Sequence, residues 1–189
     1  MNNPFLAGSL VYLRALERSD APIILPWVND PDVTRHLLIH RPTSLAAEEA
    51  FIEAMSRSDT DVVFGICRRE PDRLIGVAGL HRIDYRNRHA MFGIFIGEAE
   101  DRGSGLGTEA TALVARYAFD TANLNRVWLH VYEDNPAAIH VYEKLGFVRE
   151  GLLRADSFRR RRYRNTIVMG LLRADWTRRK QSTGIRSRT

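Results

Sequence analysis

Several things are scarce in this chain of 189 residues, and each scarcity closes off a class of function. It has one cysteine, Cys67, so no internal disulfide and no multi-cysteine zinc site is possible, and no metal is expected. No apolar run approaches the ~20 residues a membrane-spanning helix needs. The N-terminal MNNPFLAGSL lacks the basic-then-apolar layout of a secretory signal. The expectation is a cytoplasmic protein without membrane contact. No Gly-Lys-Ser/Thr is present for an ATP P-loop, and Thr108 stands where a dinucleotide fingerprint would place its third glycine. Internal repeats and interior linkers are absent too, which leaves one domain with enough chain to bury a substantial core.

Lysine is nearly missing: 26 of the 28 basic residues are arginine. The net charge of +5 also hides an imbalance. From Arg149 onward there are 13 Lys+Arg against 3 Asp+Glu, which leaves 15 against 20 for the chain before it. Basic character is therefore concentrated in the last fifth, around Arg159-Arg160-Arg161-Arg162-Tyr163-Arg164 and in Arg173 to Thr189. The latter has little apolar content and reads as a basic, flexible tail, with the folded domain spanning 9–172.

In chain order, Ser9 to Leu16 alternates like a strand. A short helix carries Ile23, Ile24 and Trp27, and a second runs from Leu45 to Met55 with Ser44 as its cap. Asp61 to Arg68, Leu74 to Leu80 and Met91 to Ile96 form an expected antiparallel meander. Further strands are expected at Arg126 to Tyr132, Phe147 to Leu153 and Tyr163 to Leu172. Between them a helix spans Asn135 to Gly146, with Asn135 as N-cap, Pro136 at the first position and Gly146 just past the end.

The most informative stretch is MFGIFIGEAEDRGSGLGTE, Met91 to Glu109. An apolar strand runs through Arg102-Gly103-Ser104-Gly105-Leu106-Gly107-Thr108 into a helix whose positions Leu106, Ala110, Leu113, Val114 and Tyr117 share a face. The first N–H groups of a helix lack internal partners, and the helix dipole favours negative charge there, so this is an anion site. Glycine lets a phosphate come close to the backbone, and Arg102 can add a charge-assisted hydrogen bond.

Arg102-x-x-Gly105-x-Gly107 resembles the acetyl-CoA pyrophosphate loop of the GNAT superfamily of N-acetyltransferases. About thirty residues on, Asn135-x-x-Ala138-x-x-x-Tyr142-x-x-x-Gly146-Phe147 resembles the second signature of that superfamily. The resemblance covers roughly Ser9 to Leu172 and implies an α/β GNAT fold, a mixed central sheet flanked by helices with a parallel pair at 91–96 and 126–132. Gly107-Thr108-Glu109-Ala110, Tyr142 to Phe147, Glu150-Gly151 and Arg154 look like the RimJ/RimL-type branch. That branch includes acetylases of ribosomal-protein N-termini and of small amines.

The resemblance also implies roles. Backbone N–H groups at Ile94, Phe95 and Ile96 would bind the pantetheine arm and polarise the acetyl carbonyl. Amides of Gly103, Ser104, Gly105, Leu106, Gly107 and Thr108 would hold the pyrophosphate beside Arg102, and Asn135 would line the groove. Tyr142 would be the general acid to the leaving thiolate, in place of a plain buried aromatic. Trp27, Val33, His36 and Leu37 would shape the acceptor wall or simply pack. The general base is open. Close relatives commonly carry glutamate where this chain has Met91, and many carry aspartate where it has Asn165. His81, Asp84, His89 and Glu133 are the candidates for a substitute.

The expected activity is acetyl transfer from acetyl-CoA to a primary amine of a small molecule or a protein N-terminus, by direct attack in a ternary complex, in a monomer or homodimer. Two alternatives stay open: a catalytically impaired acyl-CoA sensor, motivated by Met91 and Asn165, and a ribosome- or RNA-associated acetylase. The Arg159–Arg164 run reads as a solvated hairpin, a site for an acidic substrate or an RNA contact, and its charge disfavours a polyamine acceptor, while the more acidic main body leaves such a site open.

Overall fold

The computed structural model describes residues 3–182, with side chains through residue 179. Eight strands form one sheet: Leu6–Ala7 (β1), Val11–Ala15 (β2), Val62–Arg68 (β3), Arg73–Asp84 (β4), His89–Ile96 (β5), Arg126–Tyr132 (β6), Val148–Arg159 (β7) and Arg162–Leu172 (β8). Their order across the sheet is β1-β2-β3-β4-β5-β6-β8-β7. The helices are Ala21–Asn29 (α1), Pro31–Thr34 (α2), Leu45–Ser56 (α3), Leu106–Arg116 (α4), Pro136–Leu145 (α5) and Arg173–Ser182 (α6). This is the mixed α/β architecture expected. The β6 and α5 bounds lie where the residue pattern put them, and Ser44 and Asn135 cap α3 and α5 through side-chain oxygens.

Neighbouring strands are antiparallel except β5 and β6. That parallel pair meets only at His89–Met91 against Arg126–Trp128, and beyond those residues the two strands part. The sheet stays continuous at their closed ends and is split at their C-terminal ends. Period-two alternation then sends the two sets of side chains to opposite faces. Ala90 and Phe92, with Val127, Leu129 and Val131, join α4 and α5 in the larger core. Phe95 packs beside the smaller cluster of Tyr12, Ile24, Trp27 and Ile52 under α1 and α3.

Three carboxylates, two of them buried, hold this frame. Arg14 grips Asp20 through two bonds of 2.7 and 2.8 Å and so fixes the entry to α1. Asp101, 1% exposed, accepts from Arg68 (3.1 Å) and Arg73 (3.0 Å) immediately before the glycine loop. Glu109 accepts the backbone N–H groups of Ser9, Leu10 and Val11 at 2.7–2.8 Å and ties the first turn of α4 to β2.

The C-terminal expectation needs correction in part. Residues 173–182 are helical, and the folded body extends past residue 172. Arg173 donates to the Leu124 carbonyl at 2.9 and 2.7 Å, and Trp176 lies 6.0 Å from Phe119 between ring centres. One tryptophan and one arginine anchor a segment whose average composition is polar. The rest of the expected tail, 183–189, lies outside the described residues.

Candidate active site at the parting of β5 and β6

The glycine loop closes one side of the split. Gly103 and Gly105 adopt φ of +78° and +87°, a region that costs other residues energy. A Cβ on Gly103 would meet nothing within 4 Å, so the loop borders open space. Among the described residues no acceptor takes the backbone N–H groups of 103–108. Six successive amides at a helix N-terminus suit a diphosphate. Two neighbours of these amides are structural. The Ser104 hydroxyl donates to the Asp101 carbonyl at 3.0 Å. Arg102 turns back to the end of β5, donating to the carbonyls of Ile96 (3.2 Å) and Gly97 (2.5 Å).

The amides of β5 divide by the alternation of an antiparallel ladder. Gly97 N–H donates to Ile75 across the strand pair at 2.9 Å, so the Phe95 amide likewise belongs to the ladder with β4, opposite Val77. Ile94 and Ile96 present theirs to the gap. Asn135 uses its Oδ1 to cap α5 through Ala138 N–H (3.2 Å), and its Nδ2 has no acceptor among the described residues.

Tyr142 stands on the α4–α5 side, edge-on to Phe92 at 6.2 Å and tilted to Phe147 at 5.7 Å. It is 8% exposed, and burial pushes its phenol up to about 12. No hydrogen bond to a described residue holds the hydroxyl.

On the opposite face of β5, Met91 is half-buried, and its partner across the ladder is His81. The His81 ring lies over Gly93, where a Cβ would come 3.6 Å from its Nε2. Its Nδ1 is 3.0 Å from Asp61 Oδ1. Burial works against the charged form of Asp61, but hydrogen bonds from Ser58, His81 and Thr60 outweigh it and hold the carboxyl below its usual range. An anionic Asp61 requires the proton on Nδ1, which leaves Nε2 of neutral His81 with a free lone pair.

The other candidate bases are differently placed. Asp84 binds the turn at Asn87 (2.8 and 2.7 Å), and His89 sits at the closed end of β5. Glu133 accepts from Asn165 N–H (3.3 Å) and Nδ2 (3.0 Å), while Asn165 Oδ1 accepts from Ala155 N–H (2.9 Å). Asn165 thus bridges a carboxylate to an amide donor, a task that needs both a donor and an acceptor and that aspartate could not perform beside Glu133.

Of the wall residues, Trp27 and Val33 are core. Trp27 donates to Glu98 at 2.7 Å. Leu37 is half-buried against the smaller cluster. His36 approaches Asp134 (3.9 Å) and the Tyr132 ring. Burial first, then the Arg35 charge, with Arg164 and Arg160 adding, holds His36 below its ordinary value against the opposing pull of Asp134.

Residues 11–148 match the family model described as the acetyltransferase (GNAT) domain. The chain belongs to the GNAT acetyltransferase family. It is similar to spermidine N(1)-acetyltransferase of Escherichia coli K12, with 36% identity over 84% of each chain. It is also similar to the enzyme of that name from Vibrio cholerae, with 30% identity over 92% of this chain and 99% of the other. A solved structure of spermidine N-acetyltransferase from Vibrio cholerae in complex with CoA and spermine superposes with a TM-score of 0.83 at 30% identity, covering 90% of this chain and 99% of that one. The chain is thus an N-acetyltransferase that uses acetyl-CoA and acetylates an amine. The RimJ/RimL-type assignment is not supported at the same level: a putative ribosomal N-acetyltransferase of Bacillus subtilis matches over only 54% of this chain.

Sequence reading missed the Asp61–His81 couple, the Asp101 anchor and the Glu109 clamp. His81 and Asp61 are twenty residues apart and meet only because β3 and β4 lie side by side. Met91 was the available signal: a missing carboxylate directs attention to whatever lies across the ladder.

Proposed function

We propose that the acceptor is a polyamine or a related small primary amine, attacked directly in a ternary complex, with Tyr142 as acid and His81 as base. The observation that carries this reading is the split in the sheet, with Tyr142 beside Phe92 on one face of β5 and His81 over Gly93 on the other. Acetyl-CoA supplies the activated thioester. The loop amides of 103–108 and the Ile94 and Ile96 amides are oriented to hold it on the α4–α5 side. The acceptor amine then enters from the α1–α3 side, where His81 Nε2 takes its proton, with Asp61 orienting the ring and stabilising the imidazolium. The Tyr142 hydroxyl gives a proton to the departing sulfur. Its raised pKa matches the site, because the desolvation that raises a phenol raises a thiol as well.

Charge at the open ends of the strands favours a cationic acceptor. Glu98 follows β5 and Glu133 follows β6. Among the described residues, their side chains are bonded to the neutral donors Trp27 and Asn165. The negative charge of Glu98, beside α1, is therefore left for an ammonium group, whereas Glu133 lines a cavity with Pro136, Ile139 and Glu143 of α5. The similar spermidine acetyltransferases support the same class. Against it stands the arginine run: Arg159, Arg160 and Arg164 line a cavity with residues 28–42, though neither His81 nor Glu98 is in its lining. Exposed Val148, Leu152, Leu153 and Phe158 on edge strand β7 fit self-association, which light scattering would measure.

A panel of spermidine, spermine, small monoamines and peptides, read by thiol release, tests the acceptor. We expect turnover on polyamines, and His81→Gln should lower kcat by roughly 10²–10⁴-fold with little change in acetyl-CoA affinity. Binding of acetyl-CoA with no thiol release on any amine would instead identify a sensor.

A further inference from the structure

We propose that the cavity between the α1–α2 segment and the β7–β8 hairpin is a binding site for an oxyanion, a phosphate or carboxylate group. The cavity has a volume of about 350 Å³ and is lined by Arg35, His40, Arg41, Arg159, Arg160 and Arg164 together with neutral residues, with no carboxylate in the lining. Two carboxylates stand at its edge. Asp32 is 3.7 Å from Arg160 in an exposed pair, and Asp134 is 3.0 Å from Arg164. Five guanidinium groups against two carboxylates leave a positive excess inside a concave surface, where low-dielectric walls strengthen the field.

The arginines are also built in. Arg164 is 9% exposed, and its buried Nε has no hydrogen-bond partner among the described residues. Arg159 is half-buried, donates its Nη2 to the Leu37 carbonyl at 2.7 Å and likewise leaves a buried Nε unmet. Unmet buried donors are costly, and a ligand with only acceptor oxygens is the partner that relieves them. The hairpin tip adds an independent sign. Arg160 and Arg161 adopt φ of +47° and +67°, a two-residue turn geometry that asparagine and glycine fill at least cost. Arginine at both positions, strain included, points to a use for the charge. The site borders the 27–37 segment expected to form the acceptor wall, and it does not depend on the polyamine assignment.

The test titrates inorganic phosphate by calorimetry into protein already saturated with CoA, so that the glycine loop is filled, at ionic strength held constant with chloride. The parent should bind phosphate. The exposed pair Arg41→Gln/Arg160→Gln should weaken it roughly tenfold or more, as loss of charged hydrogen bonds does, and Arg41→Lys/Arg160→Lys should recover part of it. Absence of phosphate binding by the parent, or equal binding by the glutamine pair, would overturn the proposal. Two kinetic arms identify the source of the anion. A lower KM for phosphoethanolamine than for ethanolamine, erased in the glutamine pair, makes the anion part of the acceptor. A phosphate-dependent rate on ethanolamine, erased in the same pair, makes it a separate effector.

Discussion

On the α4–α5 side of β5 the groups facing the ligand space are mostly backbone: six loop amides and the amides of Ile94 and Ile96. On the α1–α3 side they are side chains drawn from distant parts of the chain, His81 from β4, Asp61 from before β3, and Glu98 from beyond the end of β5. Backbone donors recognise a diphosphate whatever side chains surround them, provided glycine keeps the approach open. Side-chain sites recognise by charge and shape, and each substitution changes what is recognised. The contrast explains how one cofactor half can serve many acceptors.

The sharpest way to break that comparison is Gly107→Val. A Cβ at 107 would sit 3.8 Å from Ile96, ordinary contact, so the protein accommodates it while the diphosphate space fills. We expect acetyl-CoA affinity to fall by roughly a hundredfold or more, the scale of losing a few charge-assisted hydrogen bonds at ~1.5–3 kcal/mol each, with the melting temperature close to the parent's. Unchanged affinity in a folded variant would show that the loop amides do not bind the cofactor.

Tyr142→Phe comes next. Among the described residues the hydroxyl has no hydrogen bond to lose, so the fold and acetyl-CoA affinity should persist while turnover drops by ~10²–10⁴-fold. Turnover within twofold of the parent, measured under saturating amine, removes the phenol from the mechanism and leaves Tyr142 as packing against Phe92 and Phe147.

The smallest effect belongs to the acceptor half. Glu48 on α3 is 6% exposed, and burial holds its carboxyl above the usual range. A carboxyl with a raised folded pKa binds its proton more tightly in the native state, so at neutral pH the ionised group weighs against folding, and that burden disappears as pH falls to its unfolded value of ~4.3. Glu48→Gln should raise the melting temperature at pH 7 by a few degrees, the effect of ~1 kcal/mol in a domain of this size. The gain should vanish near pH 4. A gain that persists in acid would mean that packing, and not ionisation, sets the difference.

The chain by itself determined the local elements of its proposed cofactor half. Glycines before an amphipathic helix and a capped helix carrying Tyr142 are local patterns: a helix dipole, positive φ and capping act within a few residues of sequence, so they can be read without the fold. It also placed the strands of the meander and the two strands of the parallel pair, but not their register: they pair only at 89–91 and 126–128, not along 91–96. Tertiary structure decided the rest. Whether β5 and β6 stay paired depends on which residues each finds alongside, and the split after Met91 appears only once both are laid in one sheet. His81 is the proposed base because Asp61, just before β3, meets its ring and Gly93 leaves room for it. The arginine run, ambiguous as a string of charges, gains meaning from the α1–α2 segment it faces. Arg173–Ser182 is helical because Trp176 finds Phe119. In each case the deciding energy comes from contacts between residues far apart in sequence, through burial, ion pairing and ladder register, which hydrophobic period and composition do not carry.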